Sequence, residues 1–153
     1  MADRTMDPGA IGNTISALLG PCQELINFAN CLVRDKVPDE DATFVGLSWD
    51  LGLTQQALLD VRGTWGAAMN GILRHPSASL GIWPTVQGSL TLMMDTFMAL
   101  RKEMLPIVKS SGKGSLFGTA WTLGLRIKSI QNGRSRVQVH LMALKVSLSM
   151  MKM

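Results

Sequence analysis

The sequence is poor in the residue types that usually build a catalytic or metal site. It contains two histidines, two cysteines and no tyrosine among 153 residues. His75 and His140 form no metal-ligand pattern with Cys22 and Cys31, because cysteines nine residues apart do not match the close pairs of zinc sites. No combination of nucleophile, base and orienting group is apparent either. The sequence therefore predicts no catalytic residue, no metal site and no cofactor, and we expect no enzymatic activity.

The two cysteines also bear on the compartment. On one helix, Cys22 and Cys31 would face opposite sides, roughly 13.5 Å apart along the axis. That separation excludes a disulfide between them, and free thiols are typical of a reducing compartment. Asp3 and Asp7 occupy the region where a signal peptide carries positive charge. We therefore expect a cytoplasmic protein, and the end of the chain directly after a predicted helix favours a domain excised from a longer protein.

Charged residues are scarce, at 17%, and unevenly distributed. Residues 1–76 carry five basic and nine acidic side chains, residues 77–153 carry ten basic and two acidic ones, and no acid follows Glu103. This asymmetry predicts either an anionic partner for the C-terminal half or attraction between the two halves within the fold. A lipid surface fits better than nucleic acid, since Trp121 is the only aromatic residue close to the basic ones. The candidates for binding anionic lipid or a protein partner are Arg126, Lys128, Arg134 and Arg136.

Four segments have the periodicity of amphipathic helices, with apolar residues at steps of three and four. They cover approximately residues 8–33, 39–74, 81–109 and 115–151. The predicted apolar stripe of the first segment is Ile11, Ile15, Leu18, Cys22, Ile26, Ala29 and Val33. That of the third segment is Val86, Leu90, Met93, Phe97, Leu100, Met104 and Ile107. With short connections, these segments predict an all-α fold, an antiparallel four-helix bundle formed by residues 1–153 as a single domain.

Two positions are expected to disturb the helices. Pro21 lies inside the first segment and predicts a kink, because proline removes a backbone hydrogen bond and clashes with the preceding turn. Arg134 occupies a position on the apolar stripe of the fourth segment, next to Gly133. Burying a charge there would be costly, so we expect the last helix to be broken near Gly133.

The first segment is long enough to cross a bilayer, with Glu24 as the one charge in residues 8–33. One side of it is polar, through Asn13, Thr14, Ser16, Gln23, Asn27 and Asn30. We therefore expect no permanent membrane span, although conditional insertion of an otherwise packed helix stays open.

The two ends of the sequence resemble one known family. Residues 6–11 (MDPGAI) and 16–20 (SALLG) resemble the first helix of fungal HeLo-like N-terminal domains. That helix typically opens with Met-Asp-Pro-Leu-Ser-Ile, with an optional alanine after the methionine, and continues with small and apolar residues. Residues 121–131 resemble the family's Trp-containing basic segment, and residues 139–148 resemble its closing Leu-x-x-His-Lys helix. The sequence departs from that last pattern at Leu141, where the family has lysine. Helix order and spacing agree along the whole chain.

The resemblance implies a cell-death function. HeLo-like domains form helical bundles at the N-terminus of fungal NLR-like (STAND) receptors, or in related stand-alone or prion-linked proteins. On activation they oligomerise, target the plasma membrane and permeabilise it, with the first helix implicated. The implied partners are further copies of the chain and anionic membrane lipids, with plasma-membrane association only on activation. The implied membrane-insertion residues are Ile11, Ile15, Leu18 and Leu19.

A second hypothesis is a homotypic or adaptor interaction module without membrane activity. Methionines are abundant in the third segment, where a soft, adaptable surface could receive a partner helix. The same methionines could equally fill the core. They are Met93, Met94, Met98 and Met104.

Overall fold

Four long helices make up most of the chain that a computed structural model describes, namely residues 10–35, 37, 42–74, 82–112 and 116–151. The helices are α1 (Ala10–Arg34), α2 (Thr43–Arg74), α3 (Ile82–Gly112) and α4 (Leu116–Met151). These described residues contain no strand, which confirms the predicted all-α fold. The helical turns predicted at residues 8–9 and 39–41 lie outside the described residues, as does His75.

The order of the helices around the bundle differs from their order in the chain. α1 packs against α2 and α3, and α4 packs against the same two helices. Consequently α1 and α4 occupy one diagonal of the bundle, and α2 and α3 occupy the other. Each diagonal pair is separated by the core, so α1 and α4 present different sides of the molecule to solvent.

Side-chain hydrogen bonds establish the helix directions. Ser48 on α2 donates a hydrogen bond to Asn30 on α1 over 2.6 Å. Gln55, which lies later on α2, donates to Gln23, which lies earlier on α1, over 2.8 Å. α1 and α2 are therefore antiparallel. α3 and α4 are antiparallel as well, because Thr96 pairs with His140 and Glu103 with Arg126. The two consecutive pairs, α1–α2 and α3–α4, thus each run in opposite directions, as predicted for the bundle.

The apolar stripe of α3 was predicted correctly. All seven of its residues are at most 1% exposed. The stripe of α1 was correct at five of its seven positions, but Leu25 and Leu32 are buried in place of Ile26 and Val33. Each of these leucines is adjacent in sequence to the apolar residue that was predicted instead. Helical periodicity alone could not choose between such neighbours, because the choice depends on where α2 and α3 pack.

The predicted break in the last helix is wrong, since α4 is continuous through Gly133. Gly133 is buried, and a Cβ added there would lie 2.8 Å from Leu100 Cγ and overlap Leu100 Cδ2. The glycine therefore lets α4 approach α3 closely.

The positive charge of Arg134, next to Gly133, is neutralised by a carboxylate on α2. Arg134 Nε donates to Asp50 Oδ2 over 2.9 Å, and the guanidinium lies directly over Gly46. α1 likewise continues as a helix through Pro21.

Candidate functional site

The membrane-insertion candidates lie in the core. Ile11, Ile15 and Leu18 are fully buried, and Leu19 is partly buried against the same core. Ile11, Ile15 and Leu18 expose no surface in this arrangement, and Leu19 exposes only part of its side chain. Insertion by these residues would therefore require α1 to separate from α2 and α3.

The thiol of Cys22 helps to attach α1 to its neighbour. It is fully buried and donates to the Leu51 carbonyl oxygen of α2 over 3.5 Å. Burial raises the pKa of Cys22 to about 12, because the thiolate would lose its hydration. The thiol is therefore inert while α1 remains packed. Cys31, on the opposite side of the helix, is only partly buried and contacts Asp35 and Arg34.

The four basic candidates form two classes. Arg126 Nη1 lies 3.1 Å from Glu103 Oε2 on α3, and Arg134 Nε lies 2.9 Å from Asp50 Oδ2 on α2. These ion pairs link α4 to α3 and to α2, and they occupy both guanidinium groups. Lys128 and Arg136 are exposed and form no ion pair with a described residue. Only the latter two are available to an external anion.

Lys128 and Arg136 belong to a solvent-facing stripe that sequence reasoning missed. Its members recur at steps of three or four residues along α4, and all are exposed. We call this set the outer stripe: Trp121, Leu125, Lys128, Asn132, Arg136, Val139, Met142, Val146 and Met150. Four of its apolar side chains, at positions 121, 125, 139 and 142, are 66–71% exposed. α4 contains no acidic residue anywhere between Leu116 and Met151.

The outer stripe lies about half a turn from the side of α4 that faces the core. The core side carries its own apolar series, which is Leu123, Ile130, Val137, Leu141, Leu144 and Leu148. Two apolar series on opposite sides weaken the contrast between the faces. The steps of the outer stripe were present in the sequence, but they were masked by the stronger core series.

A groove adjoins the C-terminal half of the outer stripe. It has a volume of about 870 Å³ and is formed by the first turns of α3 together with α4 from Ser135 to Met150. Ile82 and Thr85 line it from α3, and Val139 and Val146 line it from α4. No acidic or basic residue is among its described lining residues.

A second apolar surface lies on the opposite side of the bundle, where α1 and α2 meet. Trp49 is 70% exposed there, and a groove of about 660 Å³ runs beside it. Its exposed apolar residues are Val33, Val45, Trp49 and Leu53, which we call the α1–α2 patch. Its other lining residues are uncharged, and they are Asn30, Gly46, Ser48, Gly52 and Gln56.

His140 forms a polar contact between α3 and α4. Its Nε2 lies 2.9 Å from Thr96 Oγ1. Partial burial lowers the pKa of His140, and the positive charge of Arg136 lowers it further. This side chain therefore holds two helices together as a neutral group. No group of three or more residues that could hold a metal ion occurs in the described part of the chain.

Two further findings concern membranes and known proteins. None of the four helices, as far as the structure describes them, is both long and apolar enough to cross a membrane. Comparison of the chain with protein-family models, with curated proteins and with solved structures found no match.

Proposed function

We propose that this protein is a non-enzymatic helical domain that docks on anionic membrane surfaces through the outer stripe of α4. The observation that carries the proposal is the composition of that stripe, in which large exposed apolar side chains are accompanied by cations and by no acid. Helices that lie on a membrane surface combine these two properties. Each well-placed cation near an anionic leaflet contributes about 1 kcal/mol, and Trp121 has the amphipathic ring that favours the headgroup region.

The resemblance to HeLo-like domains extends this proposal to cell death. In that extension the docked protein self-associates, releases α1 into the bilayer and permeabilises the membrane. α4 lies diagonally opposite α1, so docking and insertion would use different helices on different sides of the bundle. Burial of Ile11, Ile15 and Leu18 would keep the insertion step inactive until α1 separates from its neighbours.

The docking step is tested by flotation with lipid vesicles. We expect the protein to float with phosphatidylcholine vesicles that contain phosphatidylserine, and not with pure phosphatidylcholine. Trp121→Ala is expected to weaken binding by about tenfold, because roughly 1.4 kcal/mol of interfacial burial is lost. Lys128→Gln/Arg136→Gln is expected to weaken it by about 30-fold, from the loss of about 1 kcal/mol per cation.

The bundle provides a matched control for each substitution. Trp49 is as exposed as Trp121 but belongs to the α1–α2 patch, so Trp49→Ala should leave vesicle binding unchanged. Arg62 is an exposed cation on α2, and Arg62→Gln should also have no effect. Docking through α4 would be contradicted if Trp49→Ala and Trp121→Ala weakened vesicle binding equally. It would also be contradicted if the wild type bound vesicles with and without phosphatidylserine equally well.

Release of α1 is tested separately through Cys22. A Cys31→Ser variant retains one thiol, which is buried against Leu51 and should react with a maleimide very slowly in solution. If α1 leaves the bundle on the membrane, labelling should accelerate by about tenfold or more, corresponding to at least 1.4 kcal/mol less opening free energy. Unchanged labelling of vesicle-bound protein would reject α1 release while leaving the docking proposal intact.

A protein-interaction module is the second candidate function, and the α1–α2 patch is the observation that favours it. Exposed apolar patches mark interaction sites, and a groove with no charged residue among its described lining residues suits a protein better than a charged lipid surface. The flotation experiment separates the two candidates, because a pure adaptor stays in the soluble fraction with every vesicle composition.

A further inference from the structure

The groove between α3 and α4 differs in shape and lining from the rest of the outer stripe. Its volume of about 870 Å³ lies within the range of roughly 300–1,000 Å³ that is typical of small-molecule sites. The apolar part of its lining is aliphatic, with Ile82, Val139, Met142, Ala143 and Val146 among the side chains. Such a lining favours a flexible hydrocarbon over a planar aromatic ligand.

The length of the groove suits a lipid chain. Ser135 and Met150 lie at its two ends on α4, and the helix between them is roughly 22 Å long at 1.5 Å per residue. The hydrocarbon of one bilayer leaflet is about half of the roughly 30 Å core of a membrane. An acyl chain that reaches the middle of a bilayer can therefore lie within the groove along α4.

Exposed cations near the groove favour a ligand with an anionic head group. Two exposed cations are sequence neighbours of groove residues: Lys145 precedes Val146, and Arg136 follows Ser135. Neither cation has an ion-pair partner among the described residues, and α4 supplies no competing acid. Glu103 on α3 lines a small neighbouring cavity together with Arg136, but its carboxylate pairs with Arg126. An anionic head is complementary to these cations. A second copy paired through its own α4 would place Lys and Arg side chains against each other, which is unfavourable.

We infer that the α3–α4 groove binds a single aliphatic chain with an anionic head, as in a fatty acid or a monoalkyl phosphate. The chain lies along Val139, Met142 and Val146, and the head is held by Lys145 or Arg136 at the margin. This inference rests on the proposed function, because the groove is part of the membrane-docking face. It assigns the C-terminal half of that face to one lipid chain rather than to the bilayer surface as a whole.

Calorimetric titration of the intact protein with dodecyl phosphate, kept below its micelle concentration, tests the inference. We expect saturable binding of one ligand per chain. Inorganic phosphate, which has the head without the chain, should not bind. Dodecyltrimethylammonium, which has the same chain with a cationic head, should bind at least tenfold more weakly. Ala143→Trp fills the groove without changing any charge and should weaken dodecyl phosphate binding by at least tenfold.

The control variant lies outside the groove on the same helix. Trp121→Ala should leave dodecyl phosphate binding unchanged while it weakens vesicle flotation, because Trp121 is not a lining residue of the groove. Val146→Gln provides a second groove variant if Ala143→Trp does not fold, as judged by circular dichroism. No saturable binding, or equal binding by the wild type and the folded groove variants, would overturn the inference even if vesicle flotation succeeds. The inference would also be overturned if the wild type formed a dimer that Ala143→Trp converts to a monomer, and if the wild type did not bind dodecyl phosphate. The groove would then be an interface between two copies of the chain.

Discussion

Replacing Asp50 with alanine is expected to lower the free energy of unfolding by about 3 kcal/mol. The Asp50 side chain is 12% exposed, and its Oδ2 accepts hydrogen bonds from Arg134 Nε over 2.9 Å and from Gln138 Nε2 over 3.0 Å. Without the carboxylate, the Arg134 guanidinium stays partly buried against Gly46 with no opposite charge. Removing one member of a buried ion pair is more damaging than replacing both, because it leaves an uncompensated charge. Urea denaturation followed by circular dichroism measures the loss.

Two comparisons make this prediction specific. Asp60 is an exposed carboxylate on the same helix, so Asp60→Ala should change the free energy of unfolding by no more than about 0.5 kcal/mol. Asp50→Ala/Arg134→Met should recover much of the lost stability, since the double variant removes both charges and fills the space with an apolar chain. If Asp50→Ala and Asp60→Ala have the same effect, the Asp50–Arg134 pair does not hold α4 against α2.

The second large effect is expected from Gly133→Ala, which should destabilise the protein by about 1–3 kcal/mol. A methyl group at this position would meet the side chain of Leu100, which is 1% exposed in the core of α3. The contact with Leu100 Cγ, at 2.8 Å, involves the branch point of the side chain, so a rotation of its end does not relieve the overlap. α3 and α4 must separate slightly, or Leu100 must leave its rotamer. Thermal and urea denaturation both report the loss.

Gly124 is the matched control for Gly133. It lies on α4 as well, but it is exposed, and a Cβ built on it would meet nothing within 4 Å. Gly124→Ala should stabilise the protein by up to about 1 kcal/mol, because alanine is the better helix former. The two substitutions are therefore expected to have opposite signs on one helix. A stabilising Gly133→Ala would indicate that α3 and α4 do not pack closely at this point.

These two positions also bear on the candidate site. Asp50 fixes the rotation of α4 relative to α2, and Gly133 fixes its distance from α3. Together they direct Val137 and Leu144 into the core and Trp121 and Val139 into solvent. The outer stripe therefore depends on contacts made on the opposite side of the same helix. Vesicle binding should be measured only on variants whose helical content and cooperative unfolding are retained.

The sequence predicted the regular parts of the fold well. Apolar steps of three and four located all four helices, and all seven residues of the predicted α3 stripe are buried. They missed Trp83, which is buried at the start of α3. They were ambiguous where two apolar residues are adjacent, as at Leu25 and Ile26, because periodicity does not say which side meets a neighbour. The candidate site was harder to predict. Arg126 and Arg134 could not be separated from Lys128 and Arg136 without knowing where Glu103 and Asp50 lie.

The amino-acid sequence alone carries local and compositional information about this protein. It predicts four amphipathic helices, a fourth helix without acidic residues and a shortage of residue types for catalysis. These properties depend only on the order of residues along the chain. The packing of the helices shows that Gly133 and Arg134 mark a close helix contact instead of a break. It also shows that the apolar stripe of α1 is buried, while α4 presents a second apolar stripe to solvent. The free-energy cost of burying a charge depends on whether another helix supplies the opposite charge. Likewise, whether a glycine is needed depends on which side chain of the neighbouring helix packs against it. In both cases the opposing group lies on another helix, about 30 to 85 positions away in the sequence.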